Sequence, residues 1–308
     1  AEIWIPDFVY KFKDAGWEVR VSTADPPLSP EDFLADSAGI TAIMANGSDI
    51  ISREVIESSN NSLKVISRTG VGFDKVDILA AKEHNIVVTT TPGANGETVA
   101  DFTFGLILAC SRQIPQLNKS LKNAEWNSLK GNDVFGKTIG IAGLGRIGQS
   151  VARRAAAFSM EILGYDPYID ATSMAMLGIR KVTFDVLLST SDFVTLHMPA
   201  NQETTSMINR ETLAIMKNSA FLINTARGAL VDEKALLDAL RARMIAGAGL
   251  DVFIDEPQTQ SPLFELENAI VSPHVAGNTK ESMSRMAEAA VDNVLAVSSG
   301  EWPRDIVV

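Results

Sequence analysis

Gly136-Lys-Thr-Ile-Gly-Ile-Ala-Gly-Leu-Gly-Arg-Ile-Gly-Gln-Ser-Val-Ala152 is the stretch on which the reading of this chain turns. An apolar run, Ile139 to Ala142, breaks into Gly143-x-Gly145-x-x-Gly148. A helical pattern follows, with apolar positions at Ile147, Val151, Ala152, Ala155 and Phe158. Glycine is common in loops, so the glycines alone carry little weight. Strand, glycine turn and helix in that order carry much more, because each glycine then has its own task. Gly143 permits the tight turn, Gly145 lets backbone approach a pyrophosphate, and Gly148 lets the helix pack close to the strand. The helix N-terminus, with Arg146 and Ile147 in its first turn, offers N–H groups and a partial positive charge to that pyrophosphate. A second apolar run, Glu161-Ile-Leu-Gly-Tyr165, leads to Asp166, 18 residues beyond Gly148, where a ribose hydroxyl would be read. The pattern predicts a dinucleotide site.

The totals are compatible with such a site. A chain of 308 residues, 46% hydrophobic and 21% charged, can bury a sizeable core and is expected to form two domains. A formal net charge of −11 argues against nucleic acid or an anionic membrane as the main partner. No apolar run approaches the length that crosses a bilayer, and no secretory leader is expected. The only cysteine, Cys110, cannot form an internal disulfide. Its setting in Phe102-Thr-Phe-Gly-Leu-Ile-Leu-Ala-Cys110 predicts core packing, and a reducing, cytoplasmic location is the simple expectation.

Residues 2–16 read as a helix closing at Gly16, followed by a strand near Val19–Ser22, a loop at Pro26–Pro30 and a helix opening at about Glu31. Short apolar strands are expected at 40–44, 63–67 and 86–89, with helices at 53–58 and 76–84. The loop Arg68-Thr-Gly70-Val71-Gly72-Phe-Asp74 is open to two readings, a plain turn or backbone that closely approaches a ligand. A long helix is expected from about Thr98 through Arg112 and past Pro115, then a loop over 123–136. Strands near 138–142, 161–165, 180–183, 193–197, 220–224, 246–250 and 269–272 alternate with helices, and a last helix runs from Asn278–Thr279 to about Val297. Apolar strands alternating with helices predict parallel sheets covered on both faces, an α/β protein of two doubly wound halves.

Ligands in such sheets sit at the C-terminal ends of strands. Here Phe193-Val-Thr-Leu-His197 ends in a histidine, and Phe221-Leu-Ile-Asn-Thr225-Ala-Arg227 brings an arginine. Gly249-Leu-Asp251 through Glu256-Pro257 brings two acids, and Ile270-Val-Ser-Pro-His274 a second histidine. Arginine, carboxylate and histidine at successive strand ends suit reduction of a carbonyl beside a carboxylate. Hydride arriving at the carbonyl carbon leaves charge on the oxygen, which needs a proton donor. Histidine titrates near neutrality, and a carboxylate partner favours its protonated form. Arginine grips a carboxylate with a rigid fork that lysine lacks. Of the three histidines, His84 reads as solvated surface, His197 as either a cofactor contact or packing, and His274 as the candidate acid.

These motifs together resemble the D-isomer-specific 2-hydroxyacid dehydrogenases, nearest their phosphoglycerate dehydrogenase branch. The likeness rests on Gly143–Gly148 with Asp166, Asn224-Thr-Ala-Arg227-Gly, Gly249-Leu-Asp-Val-Phe with Glu256-Pro257, and Ser272-Pro-His274. It implies a Rossmann-type NAD-binding domain, 112–281, inserted into a flavodoxin-like substrate domain made of 1–111 and 282–308. It implies that Arg227 orients the substrate and that Glu256 pairs with His274, the acid in reduction and the base in oxidation. It places His197, Thr225 and Asp251 near the cofactor, and gives the backbone of Val71 and Gly72 to the substrate carboxylate. Arg68 before that loop is expected to meet a substrate phosphate. The family commonly forms homodimers through the nucleotide domain, which points to residues 112–135. Two departures stand out: the chain starts at a helix where the family has a strand, and no regulatory C-terminal domain is expected after the last helix.

Asp166 would repel a 2′-phosphate, and Pro167-Tyr-Ile-Asp170 supplies no arginine to offset it, so NAD is expected over NADP. The substrate reading is 3-phosphoglycerate and phosphohydroxypyruvate, with hydroxypyruvate or glyoxylate reduction as the alternative. Formate dehydrogenases of this fold are disfavoured, because they carry glutamine where Glu256 stands. No metal is called for. Outside enzymes of this class, an NAD(H)-binding corepressor-like scaffold predicts binding without turnover. A methyltransferase would not need Arg227, Glu256 and His274 together.

Overall fold

The computed structural model describes residues 6–21, 39–47, 49–59 and 61–308. It divides into two compact units, Ala1–Asn95 with Asn278–Val308, and Gly96–Gly277.

The first unit is built on a parallel sheet of β1 (Ala42–Asn46), β2 (Val65–Thr69) and β3 (Val87–Thr89), in that order. Helices Arg53–Ser58 and Ile78–Glu83 form between the strands, the latter capped by the Asp77 carboxylate on Ala80 N–H. The long helix Lys280–Ser298 returns to this sheet, opened by Thr279 accepting from Ser282 N–H. Ser67 Oγ donates to Ala290 O at 3.0 Å, fixing the helix against β2. β1 and β2 lie two residues downstream of the expected strands, because their ends carry polar residues that an apolar run does not include. Ser67, Arg68 and Thr69 are all buried, and each has hydrogen-bond partners that make burial tolerable. The first helix is seen as Pro6–Asp14. Residues 17–21 form no strand, and the expected features at Ser22 and Pro26–Glu31 lie outside the described residues.

The second unit holds seven parallel strands: β4 (Thr138–Ala142), β5 (Glu161–Tyr165), β6 (Arg180–Lys181), β7 (Phe193–Leu196), β8 (Phe221–Asn224), β9 (Gly247–Leu250) and β10 (Ala269–Val271). Their order is β10-β9-β8-β7-β4-β5-β6. The strands read as unbroken apolar runs because both faces are covered. Ile139, Ile141, Phe193, Phe221 and Ile223 point into one core, while Ala142, Val194, Leu196 and Leu222 point into the other. That is the period of two a strand imposes. Each fully buried Leu, Ile or Phe in these layers contributes roughly 2 kcal/mol by removal from water.

The helix Gly96–Arg112 belongs to this second unit, so the break falls at Asn95/Gly96 rather than at 111/112. Sequence explains why. Phe104 stacks on Phe158 with ring centroids 5.0 Å apart, and Leu106 and Cys110 fill the space above Gly249, where a Cβ would come within 3.0 Å of Leu106. Glu97 bridges to Arg153 and Arg154, and Arg154 also pairs with Asp101. The expected continuous helix past Pro115 instead breaks at Gln113, whose backbone is left-handed (φ 53°), and a second helix, Ile114–Lys122, begins there. Cys110 is buried in the core as expected, and burial pushes its thiol up to about 12. Among the described residues, no helix is long and apolar enough to cross a membrane.

Candidate active site

The strand order of the second unit reverses between β4 and β7. A doubly wound sheet opens its ligand crevice at such a point. The glycine turn leaves β4 there, with Gly143 N–H donating to Tyr165 O at 2.9 Å. Gly143 has φ +91°, and a Cβ on it would lie 2.6 Å from His197 O. A Cβ on Gly148 would lie 2.0 Å from Gly143 O, so helix Arg146–Ala157 can approach the turn only with glycine there. Gly145 has open space around it, and Gly145 and Arg146 are exposed. Ile147 packs on the core beneath.

Asp166 closes this turn onto the end of β5. One carboxylate oxygen accepts Leu144 N–H and the other accepts Tyr168 N–H, each at 2.9 Å. A carboxylate has four lone-pair sites, so acceptor capacity is left for hydroxyl groups. His197 leaves β7 beside the turn, its N–H donating to Ala142 O at 2.7 Å. Its Nε2 pairs with Thr195 Oγ1 at 2.8 Å, while Nδ1 is buried without a hydrogen-bond partner. Burial pushes the imidazole down to about 3, so it is neutral at pH 7 and is no proton donor. A cradle that side chains would fill, an open helix N-terminus, an acid at the β5 end and an orphaned buried nitrogen all fit a dinucleotide.

β8, β9 and β10 are neighbours in the sheet and bring the second group of residues. After β8, Asn224 folds the turn that carries Arg227: its Nδ2 donates to Arg227 O at 2.8 Å and its Oδ1 accepts Ala226 N–H at 3.1 Å. One guanidinium nitrogen of Arg227 donates to Ala226 O at 2.7 Å. Thr225 is 7% exposed, and its hydroxyl pairs with Thr103 Oγ1 at 3.0 Å. After β9, Glu256 accepts Phe253 N–H on Oε1 at 2.8 Å and meets His274 Nδ1 with Oε2 at 2.6 Å. The Glu256 side chain is 23% exposed and that of His274 49% exposed. With Nδ1 committed to the carboxylate, Nε2 is the nitrogen left to exchange a proton with a substrate. Asp251 is fully buried and accepts from Ser272 Oγ, Val275 N–H and Ala276 N–H. Burial pushes its carboxyl up, and these three donors oppose that shift.

In the first unit, the expectation for Arg68 meets a different geometry. Arg68 is 1% exposed, and it donates to Asp49 O and Gly47 O at 2.9 Å each and to Gly72 O at 3.4 Å. An arginine enclosed in this way ties Gly47 and Asp49 to Gly72, a packing role that the expectation of a phosphate partner did not include. Val71 stands 41% exposed at the tip of that loop. His84 is a partly exposed residue whose Nδ1 lies 3.3 Å from Asn61 Oδ1.

Sequence reading named Arg227, Glu256 and His274 but gave no role to the residues that shape their turns. Asn224, Thr103 and Ser272 are such residues, and so is Gly228, where a Cβ would lie 1.9 Å from the Phe253 backbone. For Asn224 and Ser272, a polar residue at the end of an apolar run was the available signal.

Residues 104–276 match the model of the "D-isomer specific 2-hydroxyacid dehydrogenase, NAD binding domain". The chain is similar to a D-3-phosphoglycerate dehydrogenase of Methanocaldococcus jannaschii, 41% identical over 293 residues, covering 94% of this chain and 55% of that protein. A glyoxylate reductase of Korarchaeum cryptofilum is 42% identical over 298 residues, covering 94% of this chain and 90% of that protein. Among solved structures, the TT0316 protein of Thermus thermophilus superposes with a TM-score of 0.91 at 38% identity, covering 98% of this chain and 96% of that one. The chain thus spans about half the length of the phosphoglycerate dehydrogenases it matches, at 55%. Motif, sheet order and similarity agree, and the chain belongs to the D-isomer-specific 2-hydroxyacid dehydrogenase family.

Proposed function

We propose that this protein is an NAD-dependent oxidoreductase that interconverts a D-2-hydroxyacid and its 2-oxoacid. The carrying observation is the 2.6 Å contact of His274 Nδ1 with Glu256 Oε2, two strand ends from the turn that bears Arg227. Bound NAD supplies the hydride chemistry. Gly143, Gly145, Arg146, Ile147 and Gly148 form the cradle for its pyrophosphate, Asp166 accepts from its ribose, and His197 offers its buried nitrogen. Thr225 and Asp251, whose side chains also meet protein partners, are the remaining residues that hold the cofactor. In reduction, Arg227 grips the 2-oxoacid carboxylate and polarises its carbonyl. His274 gives the proton from Nε2 as charge grows on the oxygen, and Glu256 keeps the ring oriented. In oxidation the proton returns to the same nitrogen. Val71 and Gly72 serve the substrate carboxylate with backbone N–H groups.

Asp166 favours NAD over NADP by charge. For the substrate, 3-phosphoglycerate and phosphohydroxypyruvate are supported by the similarity to phosphoglycerate dehydrogenases. Glyoxylate or hydroxypyruvate is favoured by one observation, the enclosure of Arg68, which leaves the phosphate without the partner expected for it. A cytoplasmic homodimer completes the reading. Exposed Ile114, Leu121, Trp126, Leu129 and Phe135, with Trp126 91% exposed, support pairing through 112–135.

An NADH-oxidation panel over phosphohydroxypyruvate, hydroxypyruvate, glyoxylate and pyruvate tests the proposal. Turnover of at least one 2-oxoacid is expected, with NADH preferred to NADPH. Tight NADH binding with no turnover on any of them would instead indicate a scaffold.

A further inference from the structure

Asparagine is followed by glycine twice in the chain, at Asn46–Gly47 and at Asn95–Gly96. Such a pair carries its own chemistry. The glycine nitrogen can close on the side-chain amide carbon, because no Cβ hinders it and the glycine backbone turns freely. The attack is intramolecular, so one turn of chain holds both reacting groups together. The fold treats the two pairs differently. Asn46 ends β1, and Gly47 after it is an exposed turn residue. A Cβ built on Gly47 would meet nothing within 4 Å, so this turn has room to move. Asn46 Oδ1 also faces a donor. The Thr69 hydroxyl shares its one proton between Ala45 O at 3.2 Å and Asn46 Oδ1 at 3.3 Å. Among the described residues, nothing accepts from Asn46 Nδ2. At the other pair, Gly96 is buried and opens the helix Gly96–Arg112. Asn95 Oδ1 is buried there without a hydrogen-bond partner.

We infer that Asn46–Gly47 is a self-modification site, where deamidation assisted by Thr69 installs an acid that weakens binding of the anionic substrate. Gly47 N bonds to Asn46 Cγ, the Cγ–Nδ2 bond breaks, and ammonia leaves with the proton of the Gly47 amide. Water then opens the cyclic imide at either carbonyl, giving aspartate or its isoaspartyl isomer, and nothing is oxidised or reduced. During the attack negative charge gathers on Oδ1, and Thr69 can turn its proton wholly to it, as an oxyanion donor does. Charge on Asn95 Oδ1 would develop in a buried place with no donor, which is costly. The product carries a negative charge where a neutral amide stood. Its neighbours are the Asp49 carboxylate, which accepts Asn46 N–H at 2.6 Å, and Arg68, already committed to the carbonyls of Gly47 and Asp49. Asn46 is the register partner of Thr69, which leads into the loop at 70–72. The effect on substrate rests on the proposed role of Val71 and Gly72 in holding its carboxylate. Two unit charges on the order of 10 Å apart repel enough to lower affinity roughly 2- to 15-fold.

The test is incubation of the whole protein in mildly alkaline buffer, followed by peptide mapping in a mass spectrometer. Conversion to acid is expected at Asn46 and not at Asn95, whereas both should convert once the chain is unfolded in urea. Gly47→Ala, for which there is room, should keep turnover and stop the conversion, and Thr69→Val should slow it. No conversion at Asn46 in the folded protein overturns the inference. So does conversion of Asn95 at an equal rate, or an unchanged rate in Thr69→Val. Asn46→Asp presents the new charge directly. With NADH and whichever 2-oxoacid is turned over fastest, its KM should rise roughly 2- to 15-fold while kcat stays unchanged. If Asn46 converts as stated and Asn46→Asp leaves KM unchanged, the modification stands, and the reading of Val71 and Gly72 falls together with the consequence drawn from it.

Discussion

At the ends of β4, β5 and β7, the contacts are made mostly by backbone: a glycine turn, a helix N-terminus and N–H groups collected by Asp166. At the ends of β8, β9 and β10, side chains make them: Asn224 brackets a turn, Asp251 gathers a loop, and Glu256 meets His274. The two histidines follow the same division. His197 is enclosed and driven neutral, down to about 3, whereas the His274 side chain is 49% exposed and hydrogen-bonded to a carboxylate. Backbone geometry suits a ligand whose pyrophosphate is the same in every turnover. Side chains suit a step in which a proton must move, since only they can carry it. Binding and chemistry in this sheet should therefore be separable by mutation.

The largest separation is expected at His274. His274→Ala should reduce turnover about 10³-fold, the typical worth of a positioned acid or base. NADH affinity, measured by fluorescence titration, should stay within a factor of about three. Parallel losses of turnover and affinity in this variant would merge the two clusters into one.

A smaller and opposite effect is expected at the glycine turn. Gly148→Ala forces a Cβ to within 2.0 Å of Gly143 O, so turn and helix must part. Overpacking of this kind costs about 1–3 kcal/mol, and it should appear both in the melting temperature and as a loss of roughly 5- to 150-fold in NADH affinity. Gly145→Ala meets no atom within 4 Å, so it should weaken NADH binding with the melting temperature unchanged. Equal destabilisation by both variants would mean that Gly145 is a folding residue rather than the open side of the cradle.

Much of this organisation was legible because its causes are local. Strand, glycine turn and helix follow one another within Gly136–Ala152, and a wholly covered sheet leaves apolar runs that cannot be missed. The strand-end residues Arg227, Glu256 and His274 could be named because polar groups interrupt those runs. What stayed hidden depends on contacts distant in sequence. Arg68 looks like an available cation until Gly47 and Asp49 are folded around it. Asp251 shows its hold on residues 272–276 only after the chain has turned back onto it. The helix Gly96–Arg112 looks like a connector until Phe104, Leu106 and Cys110 find the face of the second sheet. A buried polar group is readable as such only after its partner is placed.

The last expected effect is on stability alone and comes from His197. Its folded-state pKa is depressed to about 3 from an ordinary 6.5. The unfolded chain therefore binds a proton between those values that the folded chain refuses. Stability is full above pH 6.5 and is lost as pH falls through that value toward 3. At pH 5, roughly 1.5 units below the ordinary value, the loss from this one group is about 2 kcal/mol. Urea midpoints at pH 7 and pH 5 check this, using His197→Gln as the comparison. Glutamine does not titrate, so its fall between the two pH values should be smaller than the parent's by about that amount. If the parent and the variant lose stability equally, the imidazole takes up its proton inside the fold. His197 would then be as open to solvent as His274, and the division between a neutral binding end and a proton-carrying end would disappear.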